Sequence, residues 1–346
     1  MTALVTGGAG FIGTNLTDRL LRDGQRVRIV DNLSRPGVEG NLAWLRERHG
    51  RRLEVLRGDL RDRAVAGAAV RGVDSVFHLA AQVAVTTSLD DPMLDFDVNL
   101  FGTINLLEAA RAQNEPPAFL FTSTNKVYGG LEDVELHDDG SRYEPAAGTV
   151  RRAGISEERP LDFCTPYGCS KGAADQYVLD YAKSFGMRTA VFRMSCIYGP
   201  HQCGNEDQGW VAHFAISALD GAPITLYGDG RQVRDVLFVE DLVEAFLLAR
   251  ENIDRIGGRA YNMGGGPENA VSLLEVIERI GELHGSPPET SFGPWRQGDQ
   301  RYYVSDTRCF QRDTGWRPRV SAGEGIERLY GWLREGAGVG DLARAA

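Results

Sequence analysis

The chain has 346 residues, 42% hydrophobic and 25% charged, which suits one large globular α/β unit or two coupled domains. A net charge of −10 argues against a nucleic-acid partner, which needs a basic face, although an acidic surface can still hold a local basic pocket for a phosphorylated substrate. No apolar run reaches the ~18 residues of a membrane span, and Met1–Thr6 has no basic stretch leading an apolar one, so a cytoplasmic location with no membrane partner is expected.

Apolar, β-branched runs predict strands at Leu4–Thr6, Val27–Val30, Leu53–Leu56, Ser75–Leu79 and Ala118–Thr122. Helical periodicity separates them at Ile12–Arg22, Leu42–His49, Ala64–Val70 and Met93–Ala112, and a further helix, Tyr167–Phe185, feeds a strand at Ala190–Met194. This alternation predicts an α/β fold, a doubly wound parallel sheet of the Rossmann type built from right-handed crossovers. After Met194 the pattern loosens. Gly-, Pro- and aromatic-rich stretches (Tyr198–Gln208, Ile224–Arg234, Pro287–Tyr303) alternate with helices at Val211–Leu219, Leu273–Leu283 and Gly323–Leu333. The reading is a main domain over 1–195 and a smaller C-terminal substrate-binding lobe over 196–235 and 263–335. Within 236–262, Val236–Val239 and the helix Glu240–Ala249 are expected to return to the main sheet. Gly336–Ala346 is expected to fray.

Five cysteines, at 164, 169, 196, 203 and 309, form no C-x-x-C pair and have an odd count, which favours reduced thiols. Cys196, His201, Cys203 and His213 follow no zinc-ligand spacing, so no metal is expected.

Leu4-Val5-Thr6 runs directly into Gly7-Gly8-Ala9-Gly10-Phe11-Ile12-Gly13 and then a helix. Glycines between a strand and a helix allow a tight turn and close backbone approach to a pyrophosphate, which the helix N-terminus then faces with free N–H groups. The second strand ends at Asp31, near the spacing of an acid that takes the adenosine ribose. A carboxylate there accepts from the 2′-hydroxyl and repels a 2′-phosphate, so NAD is favoured over NADP. Arg35 is the opposing signal, because an arginine nearby can accommodate that phosphate.

The chemistry-bearing segments are Thr122-Ser123-Thr124-Asn125-Lys126-Val127-Tyr128-Gly129, at a strand end, and Tyr167-Gly168-Cys169-Ser170-Lys171, opening a helix. Tyr167 and Lys171, at i and i+4, share a helical face. An ammonium beside a phenol lowers its pKa, and a phenol so tuned can take a hydroxyl proton and return it. Thr124 is placed to hold the same hydroxyl.

Over nearly its whole length the chain resembles the extended short-chain dehydrogenase/reductases. The landmarks are Gly7-x-x-Gly10-x-x-Gly13, Asp31-Asn32, Asp59-Leu60, His78-Leu79-Ala80-Ala81, Asn99-x-x-Gly102-Thr103, Tyr167-x-x-x-Lys171 and Tyr198-Gly199-Pro200. The resemblance implies Thr124, Tyr167 and Lys171 as the catalytic set. It implies a cofactor path along Gly7, Gly10, Phe11, Ile12, Gly13, Asp31, Asn32, Ser34, Arg35, Asp59, Leu60, Ala80, Ala81 and Asn99. Tyr227-Gly228-Asp229-Gly230-x-Gln232-x-Arg234-Asp235 and Arg296-x-x-Asp299 resemble the family's nucleotide-sugar loops, with Arg234 and Arg296 converging on a diphosphate.

Dehydratases of this family carry an acid and a base directly after the catalytic threonine; here those positions are Asn125 and Lys126. Elimination is therefore disfavoured and reversible oxidation remains, the pattern of an epimerase with resident NAD. Three stretches resemble the branch that epimerises CDP-paratose at C2: Ala81–Ser88, Ser123–Gly129, and Arg193–Pro200 with Asn205–Val211. By that resemblance Gln82, Thr86, Ser123 and Asn125 face the sugar, and Gln208 and Trp210 approach the nucleotide. Cys196 stands where many relatives have Asn, so no substrate contact is carried onto it. A UDP-sugar 4-epimerase and a catalytically idle NAD-binding regulator remain as alternatives, although the Tyr167–Lys171 pair speaks against the latter. Met93–Ala112 and Tyr167–Phe185 are apolar on more than one face, and relatives pair these helices across a dimer, so a homodimer or larger homo-oligomer is expected.

Overall fold

The computed structural model describes residues 1–336, so the fraying expected of the last residues lies outside the described part, apart from Gly336. In chain order the strands are β1 (Thr2–Thr6), β2 (Arg26–Asp31), β3 (Leu53–Arg57), β4 (Ser75–His78), β5 (Ala118–Thr124), the short hairpin β6 (Leu136–Asp138) and β7 (Tyr143–Pro145), β8 (Thr189–Met194), β9 (Cys196–Tyr198), β10 (Ile224–Tyr227), β11 (Val233–Phe238), β12 (Arg259–Met263), β13 (Ala270–Ser272), β14 (Thr290–Gly293) and β15 (Tyr302–Tyr303).

Seven of these form one parallel sheet in the order β12-β8-β5-β4-β1-β2-β3. β4 and β5 are buried at every position because helices cover both faces. On one face the helix Phe11–Arg22 sets Leu16 and Leu20 against Val5 and Ile29. On the other, Gly102–Arg111 and Thr165–Phe185 pack Leu106, Leu107, Ala174 and Val178 onto Leu4, Val76 and Phe119. At ~25 cal/mol per Å² of apolar surface removed from water, such two-sided burial is the main favourable contribution to folding. The predicted doubly wound sheet is therefore what forms. Among the described residues no helix is long and apolar enough to cross a membrane.

Two expectations need correction. Val236–Val239 does not rejoin the main sheet. Val233–Phe238 pairs instead with β9, β13 and β15 in a second, four-stranded sheet. The following helix, Val239–Glu251, does pack on the main sheet, where Leu242, Val243 and Phe246 join the core, and β12 then adds the edge strand beside β8.

Nor is Met93–Ala112 one helix. Asp91 caps a short helix at Pro92–Phe96, a π-helical turn spans Asp97–Phe101, and the α-helix resumes over Gly102–Arg111. In the π turn Asn99 faces inward, where its amide donates to Gln82 O (3.0 Å), Asp95 Oδ1 (3.1 Å) and Ser170 Oγ (3.1 Å).

The C-terminal elements have their own core of Tyr198, Phe214, Leu226, Phe238, Ile280, Leu329 and Tyr330. The helix Leu273–His284 begins with a capping box in which Ser272 and Glu275 exchange side-chain and backbone hydrogen bonds.

Candidate active site

One cleft of about 920 Å³ runs from the glycine loop, across the carboxyl ends of β1, β4 and β5, to the C-terminal lobe. The carboxyl ends of parallel strands are where such sheets bind ligands, because helix N-termini and loops converge there.

At one end Gly7 takes a left-handed backbone (φ +64°), and a Cβ there would lie 2.9 Å from Ala80 N. A Cβ on Gly13 would lie 2.7 Å from Gly8 Cα and collide with Gly7 O. The turn thus needs glycine at both positions, and it delivers the N-terminus of Phe11–Arg22 to the cleft wall beside Phe11 and Ile12. The Thr6 hydroxyl locks the adjoining strand ends. It accepts from Leu79 N and Ala80 N, both at 3.1 Å, and bonds His78 Nδ1 at 2.7 Å, while His78 Nε2 meets the Thr103 hydroxyl at 2.9 Å. Complete burial holds His78 down to about 3, so this brace stays neutral.

Asp31 accepts from Ala9 N (3.0 Å) and Leu33 N (2.9 Å), which fixes its carboxylate beside the glycine turn. Asn32 donates to Asp59 (3.0 Å), and Arg61 grips the same carboxylate through its side chain and backbone, bringing Asp59 down to about 2. Ser34, Arg35, Leu60, Ala80 and Ala81 line the same end. These residues fit a dinucleotide: a glycine cradle that a Cβ would fill, a helix N-terminus for the pyrophosphate and an acid for the ribose. When bound, NAD supplies the group that accepts and returns a hydride. Asp31→Ala is expected to weaken NAD retention by roughly ten-fold or more for the loss of charge-assisted bonds, read as dinucleotide released from the purified, denatured protein. Release of NADP from the unaltered protein would instead make Arg35 the dominant group.

In the middle of the cleft, β5 ends on Ser123 and Thr124. The Thr124 hydroxyl accepts from Lys126 N (3.3 Å) and so caps the 3₁₀ turn Asn125–Tyr128. Opposite, Thr165 holds a left-handed conformation (φ +66°) ahead of Pro166, and the helix that follows presents Tyr167 and Lys171 to the cleft. A threonine in this region costs stability of order 1–3 kcal/mol, and it occurs where it sets the entry of the helix carrying Tyr167.

The electrostatics correct the expected lowering of the phenol. Burial pushes Tyr167 up to about 12; Thr124 opposes it by hydrogen bonding, and Asp95 adds to it. Lys171, whose ammonium lies 4.2 Å from the centre of the Phe121 ring, is pushed down to about 7 by burial against the pull of Asp95 and Asp175. Burial is the leading cause at both groups, raising the phenol and lowering the ammonium.

Other expected contacts divide unevenly. Ser123 Oγ and Thr86 Oγ1 are buried without a hydrogen-bond partner in the cleft wall, so both can bond a polyol. Asn125 also lines it, donating to Gln300 Oε1 (3.3 Å). Gln82 lines it too, but its amide folds back onto Ala84. Asn99 does not reach the cleft; it pins the Gln82 backbone from behind, as a positioning residue.

On the lobe side, Gln208 reaches back to bond Arg35, and Trp210 Nε1 donates to Cys196 Sγ (3.3 Å). Arg234 is buried and pairs with Asp299 (2.7 Å). Arg296 lies 3.7 Å over the Tyr227 ring and pairs with Asp207 (3.2 Å). Both arginines line the cleft, each paired with a carboxylate. Tyr227 and Lys126, to which no contact was assigned from the sequence, also line the cleft, and the Lys126 ammonium donates to Gly298 O (2.9 Å). Lys126 stood inside the quoted motif, and its charge beside Thr124 was the available signal.

Residues 3–264 match the NAD dependent epimerase/dehydratase family. The chain is 42% identical to CDP-paratose 2-epimerase of Salmonella typhi, across 96% of this chain and 99% of that one. It is 34% identical to UDP-glucose 4-epimerase of Mycolicibacterium smegmatis over 96% and 99%. Among solved structures, the NAD complex of Thermus thermophilus UDP-glucose 4-epimerase superposes with a TM-score of 0.79 at 34% identity, covering 96% of this chain and 99% of that one. Fold, glycine cradle and Tyr167–Lys171 pair agree with these relationships: the chain belongs to the NAD dependent epimerase/dehydratase family, as an enzyme of the extended short-chain dehydrogenase/reductase type with NAD as its cofactor.

Proposed function

We propose that this enzyme epimerises a CDP-linked hexose at C2, by oxidation to a transient 2-keto sugar and return of the same hydrogen to the opposite face. The observation that carries the reading is the 42% identity, end to end, with CDP-paratose 2-epimerase, joined to a catalytic loop in which Asn125 and Lys126 follow Thr124. Neither is a carboxyl group, so the loop offers no acid to expel water from the sugar. In this role Thr124 and Ser123 hold the reacting hydroxyl, and Tyr167 exchanges its proton. Lys171 fixes the cofactor ribose, and Gln82, Thr86 and Asn125 meet the sugar. Gln208, Trp210, Arg234, Arg296 and Asp299 form the nucleotide end. The five free cysteines fit the reducing cytoplasm. Product analysis by NMR on CDP-, UDP- and dTDP-hexoses tests the reading; inversion at C4 with C2 untouched would transfer the case to a 4-epimerase.

The reading includes a second copy of the chain as partner. Met93 and Phe96, beside the π turn, and Tyr177 and Phe185, on Thr165–Phe185, are 65%, 45%, 45% and 49% exposed, a concentration of apolar surface on the two helices that relatives pair across a dimer. Light scattering at micromolar concentration is expected to give at least twice the chain mass; a monomer mass would contradict it.

A further inference from the structure

Lys126 has no role in the chemistry assigned to Thr124, Tyr167 and Lys171, yet it is a half-buried cation placed two residues after Thr124 in the wall of the same cleft. Its side chain is 18% exposed. An ammonium has three donors. One goes to Gly298 O at 2.9 Å, and Asp299 Oδ1 lies 3.6 Å away. Asp299 is also the partner of Arg234, at 2.7 Å. Two cations from different parts of the chain therefore share one carboxylate, and positive charge is left in excess at the junction of the catalytic loop and the lobe. Burial pushes the Lys126 ammonium below its ordinary value, and the neighbouring Arg234 adds to that, while Asp299 resists it. A second anion at this spot would relieve both costs.

The position of that excess charge bears on which carbon reacts. In a nucleotide sugar the phosphate is joined to C1. C2 is bonded to C1, whereas C4 lies across the ring. A sugar that presents C2 to Thr124 and Tyr167 must bring its proximal phosphate up to the catalytic loop itself. A sugar that presents C4 keeps that phosphate a ring's width away.

We propose that Lys126 is a ligand of the sugar-linked (β) phosphate, and that by drawing it to the catalytic loop, alongside Arg234, it sets the register in which C2 rather than C4 meets Thr124 and Tyr167. This deepens the C2-epimerase reading above and rests on it for the register. Asp299 is the spacer that holds the two cations together, and the Gly298 carbonyl aims the ammonium.

The test compares mono- and diphosphates on the NAD-loaded enzyme by calorimetry, with CMP and CDP as probes and UMP and UDP alongside. CDP contains the β-phosphate and CMP lacks it. The unaltered enzyme is expected to bind CDP more tightly than CMP, and Lys126→Met to lose roughly ten-fold or more of that advantage while CMP affinity stays the same. Lys126→Gln, which keeps a donor for Gly298 O, guards against misfolding and is expected to behave like Met; Lys126→Arg is expected to keep the advantage. Equal weakening of CMP and CDP would make Lys126 a structural brace and overturn the proposal, as would an undiminished preference for CDP in both neutral variants. Should the effect appear only in the uridine series, the cytidine assignment fails and the lysine contact stands. Inversion at C4 by an enzyme that passes the binding test would overturn the register.

Discussion

Tyr167→Phe is expected to lower turnover by ~10²-fold or more while leaving the fold and the NAD content nearly intact. The substitution removes only the phenolic oxygen, and the ring continues to line the cleft. That oxygen is hydrogen-bonded with Thr124, and in the proposed reaction it takes the sugar hydroxyl's proton on oxidation and returns it on reduction. The cleft's other phenol, Tyr227, lies on the lobe side and donates to Glu206 Oε1 at 2.6 Å. Tyr128, the nearest in sequence to Thr124, is fully buried and commits its hydroxyl to Asn262 Oδ1 at 2.7 Å. Single-turnover kinetics with bound cofactor would isolate the loss to the chemical step. Near-normal turnover would remove tyrosine from the mechanism.

Asp175→Ala is expected to destabilise the fold by about 3–5 kcal/mol. Asp175 sits on Thr165–Phe185 one turn after Lys171, wholly buried, and forms a two-pronged pair with Arg193 on β8: Nε to Oδ2 at 2.9 Å and NH2 to Oδ1 at 3.1 Å. Arg193 NH1 also donates to the Tyr128 hydroxyl at 3.1 Å. The pair ties the catalytic helix to the strand beside β5. Removing the carboxylate strands a guanidinium that is 6% exposed, without the hydrogen-bonded partner that offsets its lost hydration. A loss of that size is a large part of the ~5–15 kcal/mol that holds a typical protein folded. Urea unfolding reads it as a lowered midpoint. The double substitution Asp175→Leu with Arg193→Met, which removes both charges, is expected to recover most of it. A change below about 0.5 kcal/mol would put the pair on the level of a surface bridge.

The parts legible in the sequence were those governed by local pattern. Apolar runs marked β1, β4 and β5 because strands covered on both faces need nothing else, and the Gly7–Gly13 turn was readable because its steric demand falls within a few residues. What escaped depends on contacts distant in sequence. Val233–Phe238 has the composition of a main-sheet strand, and only its pairing with β9, β13 and β15 assigns it elsewhere. The π turn at Asp97–Phe101 carries the bonds that Asn99 makes to Gln82 and Ser170. Helical spacing correctly put Tyr167 and Lys171 on one face, but not the burial that reverses the expected phenol shift. Asn99 was readable as important and misread as a cofactor contact, since a motif does not say on which side of a loop its residue stands. The junction of Lys126, Asp299 and Arg234 unites three segments, and no pattern within any one of them announces it.

In the proposed reaction the hydrogen on C2 leaves and returns within one cleft. A CDP-hexose such as CDP-paratose, carrying deuterium at C2, tests it most directly, with the product examined by NMR and mass spectrometry. The site has hydroxyls at Ser123 and Thr124, a phenol at Tyr167, and an amide and an amine, not two carboxyls, at Asn125 and Lys126. It can move a hydroxyl proton but offers no evident acid for elimination. The predicted result is the 2-epimer with the label still at C2, no label in water, and no 4-keto-6-deoxy sugar. Solvent hydrogen at C2 would mean deprotonation chemistry, and inversion at C4 with C2 unchanged would mean a 4-epimerase; either result contradicts the account.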